Sequence, residues 1–307
     1  MDSNNIEMKT SLVLTTFDET NQLIKVPIDE EAIFAEDLVR KAGKLLGLKD
    51  ASLKYFGILE GLHTPVRKFS CVDKVPASAK GLTFQKWCFD INQEKKFLFK
   101  DPAALQLLCA QAKAAVEHGR LTPTTEQLQK LEEHSDPSFT VPLPYVTECH
   151  SMHGYSSVTI KDCVLFKDFT LKSLQFPEGT GIVLSAAKRG LQLQINGEDY
   201  FLSWRKVRRW TRAEENVLMT MVIYSIPSDT YVDLCIKSHQ AHYLVAVVME
   251  MIKIMQAELK GPVFQTSDLK RNKRGEIIEW NNITFSTTRF NAEREIAENL
   301  VDISTVT

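Results

Sequence analysis

Phe201-Leu-Ser-Trp-Arg-Lys-Val-Arg-Arg-Trp-Thr211 lies at the centre of the chain's longest strand-rich stretch, which runs from Gly181 to Gly261. On its N-terminal side Leu191-Gln-Leu-Gln-Ile195 alternates apolar and polar residues, the period of a half-buried strand. Asn196-Gly197 then supplies the two left-handed positions of a tight hairpin, so a partner strand from Tyr200 to Trp204 must follow. On its C-terminal side Val217 to Tyr224 and Tyr231 to Ile236 are β-branched and aromatic runs separated by Ile226-Pro-Ser-Asp229, which reads as a second hairpin of the same antiparallel sheet. Strand character ends at Lys237-Ser238. Ser238 is a good helix cap, and no Gly or Pro interrupts the chain until Gly261-Pro262, so a helix of about 21 residues is expected.

Ala241, Leu244, Val245, Val248, Ile252 and Met255 form one apolar stripe of that helix, and Tyr243, Val247, Met249, Met251 and Ile254 extend it. One face suffices for a core, so the second apolar flank suggests a groove beside a strand, and the strand expected to border it is Val207 to Arg212. An extended peptide adding to such a strand gains main-chain hydrogen bonds for affinity and side-chain pockets for specificity. The alternative is that Met249, Met251 and Ile254 pack on a neighbouring lobe.

The whole chain has 307 residues, 44% hydrophobic and 25% charged, with a net charge of -2, which fits two or three globular domains. A near-neutral balance argues against a dedicated nucleic-acid binder. No apolar run approaches the length of about 18 residues that marks a membrane span, and Met1-Asp-Ser-Asn-Asn5 does not resemble a signal peptide, so a cytoplasmic location is expected. Cys71, Cys88, Cys109, Cys149, Cys163 and Cys235 are widely spaced, form no Cys-x-x-Cys pair and read as small buried hydrophobes.

Ahead of this stretch, Ser11 to Phe17 and Leu23 to Ile28 look like strands. A helix follows carrying Leu38, Val39, Ala42, Leu45 and Leu46, then short strands at Tyr55 to Leu59, Val66 to Phe69 and Leu82 to Trp87. That order matches a ubiquitin-like β-grasp. From Glu94 to Glu133 the period turns helical, with one helix from Pro102 to Val116, a second opening at Thr122-Pro-Thr-Thr-Glu126, and a short one expected before Tyr155. Beyond Pro262 the charge run Leu269-Lys-Arg-Asn-Lys-Arg274 opens a tail poor in apolar residues, expected to be mobile with a helix around Asn291 to Leu300. The fold class is therefore α+β in three lobes: a ubiquitin-like lobe over 8–90, a short helical lobe over 91–157 and an antiparallel sheet closed by a helix over 158–261, which the resemblance below implies is PH/PTB-like, followed by a tail over 262–307.

This order of lobes resembles a FERM domain. Gly119-Arg-Leu121 with Glu126 is similar to that family's Gly-Arg-Leu turn, and Phe201, Trp204, Val207 and Trp210 have the spacing of its fourth and fifth strands in the last lobe. Tyr55-Phe56, Val66-Arg-Lys68, His153-Gly-Tyr155 and Arg208-Arg-Trp-Thr211 with Glu214-Glu215 resemble the atypical FERM domain of the PX-FERM sorting nexins, the sorting nexin 17, 27 and 31 group. The resemblance implies a non-catalytic adaptor for endosomal sorting and recycling that needs no cofactor. Its PTB-like groove would bind Asn-Pro-x-Tyr or Asn-x-x-Tyr/Phe motifs in the tails of transmembrane receptors. Carried over, the groove strand is Val207, Arg208, Arg209, Trp210 and Thr211, and helical spacing adds Val245, Met249 and Ile252. A phosphoinositide-binding PX domain is not expected ahead of the first lobe, and recruitment to endosomal membranes would then fall to a partner or a basic patch.

Arg205, Lys206 and Arg212, with Lys270, Arg271, Lys273 and Arg274, are the candidate contacts to phosphoinositide membranes; a solvated basic edge is the alternative. Asn282-Ile-Thr-Phe285 has the Asn-x-x-Phe spacing of the expected ligand, which suggests autoinhibition by the tail or its capture by a retrieval complex. A Ras-type GTPase on the ubiquitin-like lobe is the second partner class, although Lys25 is the lone basic residue on the second strand. Cys149, His150 and His153 have ligand chemistry without a fourth partner, and as a Cys-His pair they lack an orienting group, so neither a metal site nor an enzyme is expected.

Overall fold

The computed structural model describes residues 10–16, 23–134, 142–171, 174–212, 218–225, 230–258, 270–271, 277–279, 285–289 and 297–301. The chain divides into two compact units after Ser156.

In the first unit β1 (Thr10–Thr15) and β2 (Leu23–Ile28) pair antiparallel, with Thr10 opposite Ile28. Alternation in β2 buries Ile24, Val26 and Ile28 and leaves Leu23, Lys25 and Pro27 exposed. β3 (Ala32–Phe34) leads into α1 (Ala35–Leu45), whose Leu38 and Ala42 are buried, and α2 (Asp50–Leu53) is a single turn. Then come β4 (Phe56–Glu60), β5 (Arg67–Lys68), β6 (Lys74–Pro76), which pairs with β3, and β7 (Leu82–Lys86). The sheet order β2-β1-β7-β4-β5, with a parallel β1–β7 pair spanned by α1, is the expected β-grasp.

Four helices follow, each with a local reason to start. α3 (Ile91–Phe97) begins where the Asp90 carboxylate accepts the Asn92 N–H at 2.9 Å, and α4 (Pro102–Glu117) where Pro102 sits in the first turn behind Asp101. Asp101 also accepts the Lys49 N–H at 2.8 Å, tying the start of α4 to the β-grasp. α5 (Thr125–Glu133) opens on a reciprocal box between Thr124 and Gln127, and α6 (Leu143–Cys149) completes the set. Leu105, Leu108 and Ala112 of α4 and Val146 and Cys149 of α6 belong to the same hydrophobic core as Leu38 and Phe84.

The second unit contains β8 (Val158–Leu165), β9 (Phe169–Leu171), β10 (Leu174–Phe176), β11 (Gly181–Ala187), β12 (Gly190–Ile195) and β13 (Glu198–Ser203). These are followed by β14 (Val207–Arg212), β15 (Leu218–Ser225), β16 (Thr230–Lys237) and α7 (Ala241–Glu258). The hairpin between β12 and β13 turns at Asn196 (φ 53°) and Gly197 (φ 84°), the two left-handed positions expected from the sequence. Before α7 the Ser238 hydroxyl accepts the Gln240 N–H at 3.0 Å and donates to Asp162 at 3.1 Å.

These strands lie in the order β13-β12-β11-β8-β16-β15-β14. Flat, the first and seventh strands would stand about 29 Å apart at ~4.8 Å per step. Yet the single turn Trp204–Lys206 joins β13 to β14, and its four residue steps reach about 14 Å. The sheet must therefore curl. Trp204, fully buried, holds the turn by donating its indole N–H to the Ala187 carbonyl at 2.8 Å, and α7 packs against β11, β14 and β15.

Two sequence expectations need correction. The tail forms strands where described: β17 (Lys270–Arg271), β18 (Ile277–Glu279), β19 (Phe285–Arg289) and β20 (Ala297–Val301). The helix expected around Asn291 to Leu300 is thus a strand from Ala297, because pairing with a neighbouring strand overrides local propensity. Cys71 is exposed rather than buried, since it sits in the Ser70–Asp73 turn outside any strand; the other five cysteines are buried.

Candidate peptide-binding site

β14 is the seventh strand of a sheet that β20 and β19 of the tail extend to nine, and one of its edges faces β15: Val207 opposite Ile223, Arg209 opposite Val222, Trp210 opposite Met221, Thr211 opposite Thr220 and Arg212 opposite Met219. The register slips between Val207 and Arg209, which makes Arg208 the extra residue of a β-bulge. Its effect is specific. Three positions apart, Val207 and Trp210 would point to opposite faces of a regular strand; the bulge turns both to the same side, and both are buried, at 1% and 0% exposure.

The other edge of β14 is paired as well. β20 lies against it antiparallel, with Leu300 opposite Arg209 and Asn299 opposite Trp210, and β19 pairs with β20 from Phe285–Val301 to Arg289–Ala297. The β14 edge therefore has the geometry to accept an added antiparallel strand.

On α7 the core takes Ala241, Tyr243, Leu244, Val245, Val247, Val248, Met251 and Ile252. His242, Ala246, Met249 and Glu250 are half-buried and Lys253 is exposed, a line repeating every three or four residues along one side of the helix. Of the helix residues assigned to a groove from spacing, Met249 lies on this line, while Val245 and Ile252 are core. His242, Ala246 and Glu250 escaped the sequence reading because apolar content alone does not mark the partly exposed side of a helix that three strands cover.

The remaining candidates fall as follows. Arg205 and Lys206 lie in the turn before β14, with Lys206 half-buried, and Arg212 ends β14. Lys270 and Arg271 form β17, which pairs with β18, and β18 packs on the Trp204–Lys206 turn. Phe285 is the first residue of β19, one strand removed from β14; Asn282, Lys273 and Arg274 lie outside the described residues. Phe201, which the three-residue spacing grouped with Trp204 and Trp210, is 60% exposed.

A second polar cluster lies in the first unit. The Glu94 carboxylate of α3, fully buried, accepts from Lys86 Nζ at 2.6 Å on one oxygen and from the Tyr155 hydroxyl at 2.8 Å on the other, with His150 Nε2 3.2 Å from that second oxygen. An ionised carboxylate only accepts, so His150 carries a proton on Nε2. Burial pushes the Glu94 pKa up, but the Lys86 ammonium and the hydrogen bonds from His150, Lys86 and Tyr155 outweigh it and hold the carboxyl below its usual value. Tyr155 is raised, first by burial and then by the Glu94 charge. The His150 ring stacks on Phe99 at 5.4 Å. Burial, followed by Cys109, pushes the Cys149 thiol up to about 12, so at neutral pH the thiol is protonated. The Cys149-His150 pair serves packing and hydrogen bonding, and no metal-ligating cluster occurs among the described residues.

No protein-family profile and no curated protein sequence matches the chain. Among solved structures, a mutant of the MyTH4-FERM MF2 domain of Dictyostelium discoideum myosin VII aligns with a TM-score of 0.50 and 10% identity, over 82% of this chain and 61% of that one. The MyTH4-FERM MF1 domain of the same myosin aligns with a TM-score of 0.44 and 12% identity, over 80% and 60%. The chain thus spans about three fifths of the length of these solved chains. With the β-grasp, the helices on its core and the curled sheet closed by α7, the first of these alignments gives this chain an α+β, three-lobed FERM-like fold.

Proposed function

We propose that the chain is a non-catalytic adaptor of the PX-FERM sorting nexin type. It binds Asn-Pro-x-Tyr or Asn-x-x-Tyr/Phe signals in the cytoplasmic tails of transmembrane receptors, for endosomal sorting and recycling. The supporting observation is the β14 edge, which takes an antiparallel strand within the unit where α7 packs on β14 with Met249 on its partly exposed side. A peptide of this length buries a small interface, so affinity is expected near micromolar and is raised by avidity at a membrane. The chain would reach that membrane through Arg205, Lys206 and Arg212 with the basic residues of the tail, at about 1 kcal/mol each near an anionic surface. A retrieval complex engaging the tail is a further partner. No helix among the described residues is long and apolar enough to cross a membrane.

Calorimetric titration with an Asn-Pro-x-Tyr peptide tests the site. Binding is expected to weaken about tenfold in Met249→Asp while the melting temperature changes little, because Met249 is only half-buried. No heat from the intact chain and none from a Leu300→Pro chain would end the proposal. Flotation with phosphoinositide vesicles, reversed by added salt, is the expected result for the basic residues, and salt-insensitive absence of binding would remove them.

A Ras-type GTPase is the second partner, favoured by β2 lying at the end of the five-stranded sheet with Leu23 and Lys25 exposed. Pro27 removes one backbone donor from that strand, which ranks it behind β14.

A further inference from the structure

We infer that Ala297–Val301 is the resident occupant of the β14 edge, and that a partner adding a strand there must displace it; this rests on the proposed use of that edge for peptide binding. The register places Leu300 and Asn299 opposite Arg209 and Trp210 in the antiparallel sense. β20 is in turn held along its whole length by β19, in five consecutive pairs from Phe285–Val301 to Arg289–Ala297, so the displaceable unit is a two-stranded flap.

Charge points the same way. The sequence around β20 carries Glu293, Glu295, Glu298 and Asp302 against a single basic residue, Arg294. The sequence around β14 carries Arg205, Lys206, Arg208, Arg209 and Arg212 against Glu214 and Glu215, a net positive balance. Opposite net charge on two segments that pair favours their association and makes it salt-sensitive. The occupant differs from the one the sequence suggested: Phe285 of the Asn-x-x-Phe motif pairs with Val301 in β19 and does not reach β14.

Both strands belong to one chain, so the flap competes at an effective concentration on the order of a millimolar. Against a segment of tens-of-micromolar intrinsic affinity, occupation lowers the apparent affinity of any added peptide by about tenfold to a hundredfold. The edge is thereby kept from pairing with other chains until a ligand, a membrane or a tail-binding partner releases it.

The experiment uses the full chain and its Leu300→Pro variant, in which proline removes a ladder donor from β20. A labelled peptide spanning residues 293–303 is expected to bind Leu300→Pro, and to bind the intact chain at least tenfold more weakly. Amide exchange over residues 207–212 is expected to accelerate in the variant and to slow again when that peptide is added. Glu298→Lys with Asp302→Lys, which leaves the backbone unaltered, is expected to give partial release that grows with salt.

Unchanged exchange in every variant, with no tail peptide bound to any, overturns the inference. An Asn-Pro-x-Tyr peptide separates the two proposals. Tighter binding by the variant supports both. Equal binding by intact chain and variant, with exchange unchanged, removes the flap and keeps the adaptor. Binding of the tail peptide without any binding of the Asn-Pro-x-Tyr peptide keeps the flap and removes the adaptor.

Discussion

Glu94→Gln is expected to lower the unfolding free energy by about 3–5 kcal/mol, the cost of breaking a buried ion pair while its partner stays buried. Lys86 has 11% of its side chain exposed and Glu94 1%, so water does not replace the lost charge, and the amide offers a single acceptor oxygen to three donors. Urea denaturation of the full chain gives the measurement; a loss below about 1 kcal/mol would mean that the cluster relaxes and is not a fixed network. The pH dependence has a definite sign. A carboxyl held below its ordinary value of 4.5 by the fold stabilises the native state above that pH, and this contribution disappears as pH falls through the lower folded value. Acid denaturation of the wild type below about pH 4.5 should therefore be steeper than that of Glu94→Gln, and identical acid limbs would contradict the assignment.

Trp210→Ala is expected to cost a similar amount, about 3–5 kcal/mol, through a large cavity at a residue with no exposed surface. The tryptophan pairs with Met221 on one side and Asn299 on the other, in a strand that α7 also covers. Melting temperature and peptide affinity should therefore fall together in this variant, whereas Met249→Asp should move affinity alone. A Trp210→Ala chain that melts like wild type and yet loses peptide would place the indole in the groove after all.

Much of the sheet was legible because its signals are local. Asn196-Gly197 sets its hairpin through backbone conformations few other pairs adopt, Val207 to Arg212 reads as a strand with its final boundaries, and α7 starts and stops within a few residues of its cap and its Gly-Pro signal. The groove residues were less legible. Val245 and Ile252 share the apolar character of Met249, and which of them is covered depends on three strands that the helical period does not encode. Glu94 sits in the polar run Asn92-Gln-Glu-Lys-Lys96 and looks like a solvated residue of a short helix; its burial comes from β7 and the segment after α6, far away in sequence. In the tail strand Ala297, Leu300 and Val301 fall at positions i, i+3 and i+4, a spacing that suits a helix, so nothing local opposed a helix there. Cys71 shows the reverse error, an apolar type placed in a turn.

The bulge at Arg208 also bears on which genetic changes the chain tolerates. Substituting Arg208 alters one side chain of a cationic run, and a loss of charge at one such residue is usually small. Deleting its codon instead removes the extra residue, and the period of two then forces either Val207 or Trp210 out of the core. In a library of all single-residue deletions and substitutions, position 208 should stand out as permissive to replacement and intolerant of loss.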